Sequence, residues 1–113
     1  MVMKELLDEF HNYVEFWMDK SPEQIKSFLK LLEVIEKPGV LSTREKELIA
    51  IALSVMAQCK WCISFHVNSA LKAGATPEEI REAAWVAVLM GGGPQLAYMQ
   101  LVEKALEEFA KKQ

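Results

Sequence analysis

Apolar residues in this chain recur at steps of three, four and seven and nowhere in strict alternation. That spacing lines one face of an α-helix, whereas a half-buried strand needs a period of two. Leu6, Leu7, Phe10, Tyr13, Val14, Trp17 and Met18 make one such face, which predicts a first helix ending near Lys20. Ser21 then caps a second helix with Pro22 at its first position, and Ile25, Phe28, Leu29, Leu32 and Ile35 are expected to point inward. Pro38-Gly39 marks a loop. Ser42 with Glu45 reads as a capping box, as does Thr76 with Glu79 after the Gly74 stop, and each opens a further helix. The later one runs to about Met90, GGGP at 91–94 breaks it, and a last helix spans about Gln95 to Lys111. That helix is expected to bury Leu96, Met99, Leu101, Val102, Leu106 and Phe109. The expected fold class is all-α, with five to six helices, in a single domain over residues 1–113.

Two stretches are apolar nearly all round: LIAIALSVMA at 48–57 and AAWVAVLM at 83–90. Helices of that kind need cover on every side, and a 113-residue chain encloses few positions completely. A symmetric homo-oligomer would complete the cover. The alternative is a tight monomer with these two helices at its centre.

Charge and length exclude several classes. Lys and Arg total 13 against 16 Asp and Glu, a net −3 with no basic block, which argues against a nucleic-acid partner. The opening MVMKELLDEF carries acids where a secretion signal would carry bases. The longest strongly apolar run is ten residues, too short to span a bilayer. The expectation is a soluble, cytoplasmic protein with no membrane association, in a compartment where a lone CxxC is chemical rather than a structural staple.

The chemistry concentrates in AQCKWCISFHVNSA, residues 57–70, which holds both cysteines of the chain and one of its two histidines. On one helix, Cys59, Cys62 and His66 share a face, since Cys62 and His66 are i, i+4 and the two cysteines i, i+3. The imidazole can then reach the second sulfur, and a disulfide can close at the first turn. A helix N-terminus stabilises a thiolate, and a histidine beside it can take the proton. Such a thiolate attacks a peroxide O–O bond to give a sulfenic acid, a second cysteine condenses with it, and a dithiol resets the pair by exchange.

One position decides whether these residues form a relay. Glu47 lies in the charged STREKE opening beside the first apolar run. Propensity alone allows one helix over 43–73, and on a straight helix Glu47 and His66 would stand about 28 Å apart. A reversal near Ala57-Gln58 would make a helical hairpin and bring them together. The break is expected on chemical grounds, because the local residues barely signal it.

A Glu, eleven residues, then C-x-x-C-x-x-x-H resembles the carboxymuconolactone decarboxylase superfamily, in its branch like alkyl hydroperoxide reductase D (AhpD). Here the residues are Glu47, Cys59, Cys62 and His66. KAGATPEEI and VAVLMGGGP also look like that family, and the resemblance covers roughly residues 25–110. It implies an all-helical fold in trimers or hexamers. It also implies that Cys62 meets a hydroperoxide substrate, Cys59 is the resolving partner and proton donor, His66 is the relay base, and Glu47 orients and charges it. No bound cofactor is implied; the reductant would be an external dithiol, lipoyl or thioredoxin-like. The best-known members carry a histidine just before the second cysteine, where this chain has Trp61, which removes a proton carrier and adds apolar surface.

Other readings stay open at this level. The cysteines could be two buried thiols, or part of a zinc site with His66 and Glu47 or His11, although such sites usually use two separated ligand pairs. Glu47 has the ordinary reading of a solvated acid in a helix's first turn. His11 reads as a surface or interface residue, and Trp61, Phe65, Trp85 and Tyr98 as core or pocket lining. Functionally, a cysteine-independent decarboxylase and a non-enzymatic oligomeric stress accessory compete with the thiol peroxidase.

Overall fold

The computed structural model of the chain describes residues 2–110. They form six helices: α1 (Val2–Lys20), α2 (Pro22–Glu36), α3 (Thr43–Met56), α4 (Lys60–Lys72), α5 (Pro77–Gly91) and α6 (Gly93–Phe109). No strand occurs among the described residues, as the all-α class requires. None of these helices is long and apolar enough to cross a membrane.

Both capping boxes form. Ser42 accepts from Glu45 N while the Glu45 carboxylate accepts from Ser42 N, and Thr76 and Glu79 repeat the exchange at α5. Ser21 makes no side-chain cap, so α2 starts on Pro22 alone. Gly92 has φ +82°, the left-handed turn that glycine adopts freely, and it divides α5 from α6. Because Pro94 fits a helix's first turn, α6 starts at Gly93, two residues before the expected Gln95. The expected end at Lys111 lies outside the described residues.

Helices α3 to α6 make the body, with α3 against α4 and α5, and α6 against both α4 and α5. Ile51 and Val55 of α3, Ile63 and Val67 of α4, Ile80 and Ala84 of α5, and Val102 and Leu106 of α6 fill its centre. The first half of α1 lies over this body and buries Met3 and Leu7. It is pinned there by polar bonds: Ser64 Oγ donates to Met3 O at 2.5 Å, and the Glu108 carboxylate accepts from the free N–H groups of Met3 and Lys4.

The rest of α1 and all of α2 depart from the expected burial. Tyr13, Trp17 and Met18 are exposed, with the rings of Tyr13, Phe16 and Trp17 in tilted and edge-on contact with one another. Phe28 and Ile35 are exposed too, and no α2 residue is fully buried, because α2 lies at the edge of the bundle, mainly against α1. The two all-apolar stretches are likewise covered on one face only. Ile49 and Leu53 of α3 and Trp85, Val86, Leu89 and Met90 of α5 face outward, Leu89 at 81% exposure, and so does Leu96 of α6. Within one chain these two helices are not enclosed.

Candidate active site

The chain reverses where the relay requires it. Helix α3 stops at Met56, Ala57 keeps a helical φ, and Gln58 turns left-handed at φ +54°. Three bonds close the turn: Ala57 N to Leu53 O, Gln58 N to Val55 O, and Cys59 N to Ser54 O. Cys59 is extended and serves as the N-cap of α4, where its Sγ accepts from Cys62 N at 3.2 Å. The two cysteines are joined as a disulfide, with Cα atoms 5.2 Å apart. This first turn of α4 carries the N–H groups and partial positive charge that favour a thiolate.

The α3–α4 hairpin places Glu47 against His66. The imidazole Nδ1 donates to Glu47 Oε1 at 2.7 Å, and Glu47 is 2% exposed. That bond fixes the tautomer of the neutral ring and leaves Nε2 as its acceptor. Burial alone would raise the Glu47 carboxyl; the hydrogen bonds from His66 and Glu36, with the histidine's charge, outweigh it and hold Glu47 below the ordinary carboxylate range. Glu47 is therefore not the solvated acid of the ordinary reading.

A third group joins them. Glu36 Oε2, from the last residue of α2, lies 3.9 Å from His66 Nδ1, and the Glu36 carboxyl hydrogen-bonds Glu47. Burial, then the bond to Glu47 and its negative charge, push Glu36 up to about 8. Each of the three residues offers one ligand-type atom, all within 4.8 Å of one another. Within this group His66 and Glu47 are joined directly by the 2.7 Å hydrogen bond. A zinc site on the two cysteines would need both thiols reduced, and here the two sulfurs are bonded to each other.

Sequence reasoning missed Glu36. It reads as a surface acid before a Pro-Gly loop, and its partner is eleven residues on, across that loop. Lys46 supplied a faint signal, as a base just before Glu47. Its ammonium donates to the carbonyls of Ile35 and Lys37, which tethers the end of α2 to α3.

Cys62 and His66 share a cavity of about 120 Å³ with Phe10, Phe28, Leu32, Trp61 and Phe65. Phe65 packs edge-on against both Phe10 and His66. Trp61 lies at the rim, its indole N–H donating to Glu9 at 2.7 Å, with Lys60 stacked over its ring. Lys60 is thus exposed and does not point at the thiols. Trp61 and Phe65 line the pocket and Tyr98 packs on the core, but Trp85 is on the surface. His11 is exposed beside Phe65, a surface residue as expected.

Comparison with known proteins gives the site a family. Residues 22–104 match the model of the carboxymuconolactone decarboxylase family. Uncharacterized protein 4 in the cox locus of Paracoccus denitrificans is 43% identical over 82 residues, which are 73% of this chain and 74% of that protein. Alkyl hydroperoxide reductase AhpD of Coxiella burnetii is 26% identical over 94 residues, 83% of this chain but only 50% of that enzyme, so the chain spans about half the AhpD length. The crystal structure of a carboxymuconolactone decarboxylase family protein from Legionella pneumophila superposes with a TM-score of 0.90 at 37% identity, covering 95% of this chain and 96% of that one. A family model over most of the chain, a close structural match and the AhpD likeness lead to one conclusion: the chain belongs to the carboxymuconolactone decarboxylase family, in its AhpD-like branch.

Proposed function

We propose that this protein is a thiol-dependent peroxidase and disulfide oxidoreductase acting on hydroperoxides. The observation that carries this reading is a Cys59–Cys62 pair closed at the first turn of α4, with Cys62 in one apolar cavity with a carboxylate-bound His66. In the reduced protein the Cys62 thiol gives its proton to His66 Nε2, and Glu47 stabilises the imidazolium. The thiolate attacks one peroxide oxygen, the O–O bond breaks, and the departing alkoxide takes the proton from His66. Cys62 is now a sulfenic acid. The Cys59 thiol attacks its sulfur, and water leaves as the disulfide forms. An external dithiol, lipoyl or thioredoxin-like, restores both thiols by exchange and leaves as its own disulfide.

The cavity's aromatic walls suit an organic hydroperoxide with an apolar tail. The exposed apolar faces of α2, α3 and α5 suit a homo-oligomer, a trimer or hexamer in line with the family resemblance.

Mild peroxide should remove two hydrogens from the reduced protein's mass, and prior alkylation should block that loss. Peroxide consumption by Cys62→Ser at the wild-type rate would overturn the proposal. The His66–Glu47 pair also fits a second reading, since acid–base decarboxylation of a lactone acid needs no thiol. Turnover of such an acid that survives in Cys59→Ala/Cys62→Ala would favour it.

A further inference from the structure

We infer that Glu36 is a positioning residue of the Cys62–His66–Glu47 relay: it holds a proton between its carboxyl and that of Glu47, and so keeps a single negative charge facing His66. This rests on the thiol-peroxidase reading for its functional consequence, though not for its geometry.

The placement is built, not incidental. A glutamate ending a helix before a loop would ordinarily swing into solvent. Here the end of α2 is held at three points. Lys46 Nζ donates to the carbonyls of Ile35 and Lys37, both at 2.7 Å, and Thr43 Oγ1 donates to the carbonyl of Glu36 itself at 2.8 Å. All three bonds come from the first turns of α3, the helix that carries Glu47. They set the two carboxyls side by side, and Glu36 is only 24% exposed at its side chain.

Two carboxyls with oxygens within 4.8 Å of each other do not both ionise readily. The proton belongs on Glu36. It sits at a helix C-terminus, where the backbone disfavours negative charge, while Glu47 already accepts from His66. The charged groups around Glu36 are Glu47 and Lys46 from α3 and His66 from α4. The raised titration of Glu36 agrees with this arrangement.

The consequence for turnover is specific. The Glu36 proton is not consumed: the proton that moves goes from Cys62 to His66 Nε2 and on to the leaving alkoxide. Glu36 donates to Glu47, orients its free oxygen toward Nδ1, and spares the site a second charge beside a thiolate. Once Glu36 ionises in mild alkali, a dianion faces the imidazole and the setting of the relay changes.

Two measurements test this. The first uses the disulfide form, in which neither cysteine titrates. Carbon NMR of the glutamate carboxyls should show Glu36 titrating in the alkaline range in the wild type and moving to lower pH in Glu47→Gln. The second is peroxide turnover against pH. Glu36→Leu should lose roughly tenfold in kcat/KM at pH 7, part of what positioned proton transfer supplies. Glu36→Gln keeps an N–H donor toward Glu47 and should recover most of that loss, without the wild type's alkaline change. An ordinary acidic titration of Glu36 would overturn the inference, as would wild-type turnover by Glu36→Leu at every pH. Were the wild type to consume no peroxide, the function proposed above would fall, and the NMR result would still decide whether the carboxyls share a proton.

Discussion

His66 is held by two glutamates whose environments push their protons in opposite directions, and folding stability should report both. Glu36 has its folded titration raised from the ordinary 4.5 to about 8, so the folded state holds a proton that the unfolded chain releases over that window. Stability therefore falls as pH rises from about 4.5 through about 8. Glu47 is depressed, so its contribution is present above the ordinary carboxylate range and is lost as pH falls through its folded value. Urea unfolding at pH 5 and pH 8 should show a clear loss for the wild type and a smaller one for Glu36→Gln. An equal loss in both would mean that another group carries the dependence. Among the thiols, Cys59→Ser should leave oxidised Cys62 without its partner, and a dimedone-type probe should trap the sulfenic acid there. Absence of any adduct at Cys62 would place the peroxide chemistry elsewhere.

The elements hold these residues through their ends. The α3 capping box fixes the helix that presents Thr43, Lys46 and Glu47, and Ser42→Ala should cost about 1 kcal/mol in chemical denaturation. At the other end of α3, Gln58 sits at φ +54°, where a side chain costs roughly 1–2 kcal/mol that glycine avoids. Gln58→Gly should therefore stabilise by about 0.5 kcal/mol once the greater freedom of unfolded glycine is set against the relief. Destabilisation by that substitution would show that the Gln58 side chain contributes more than the turn geometry indicates. The capping boxes were legible because Ser-x-x-Glu and Thr-x-x-Glu state their partners locally. The Gln58 turn was not: no glycine or proline marks it, and its conformation is imposed by packing α4 back along α3.

At the scale of the whole molecule, the radius of gyration is 14.1 Å, against about 13.3 Å for a compact chain of this length. The excess fits the lightly covered α1–α2 arm. Apolar side chains open to solvent on α2, α3 and α5 form faces that single exposed residues do not explain. Sedimentation should give a multiple of the 12.8 kDa chain, and Leu53→Glu or Leu89→Glu should shift it toward one copy. A wild-type mass of one chain would remove the oligomer from the account. The arm matters for the site as well, since α2 supplies Phe28 and Leu32 to the cavity wall and sets Glu36 beside His66.

The amino-acid order by itself determined the helices other than the division of α3 from α4, because their period, caps and breakers act within a few residues. It also set the spacing of C-x-x-C-x-x-x-H, because i, i+3 and i, i+4 neighbours meet on any helix. The tertiary structure decided which acids that motif meets. Glu47 reaches His66 only through a left-handed turn at Gln58, and Glu36 only because Lys46 and Thr43 hold the end of α2 against α3. Contacts between residues far apart along the chain depend on where whole helices settle, and burial, not local propensity, sets that.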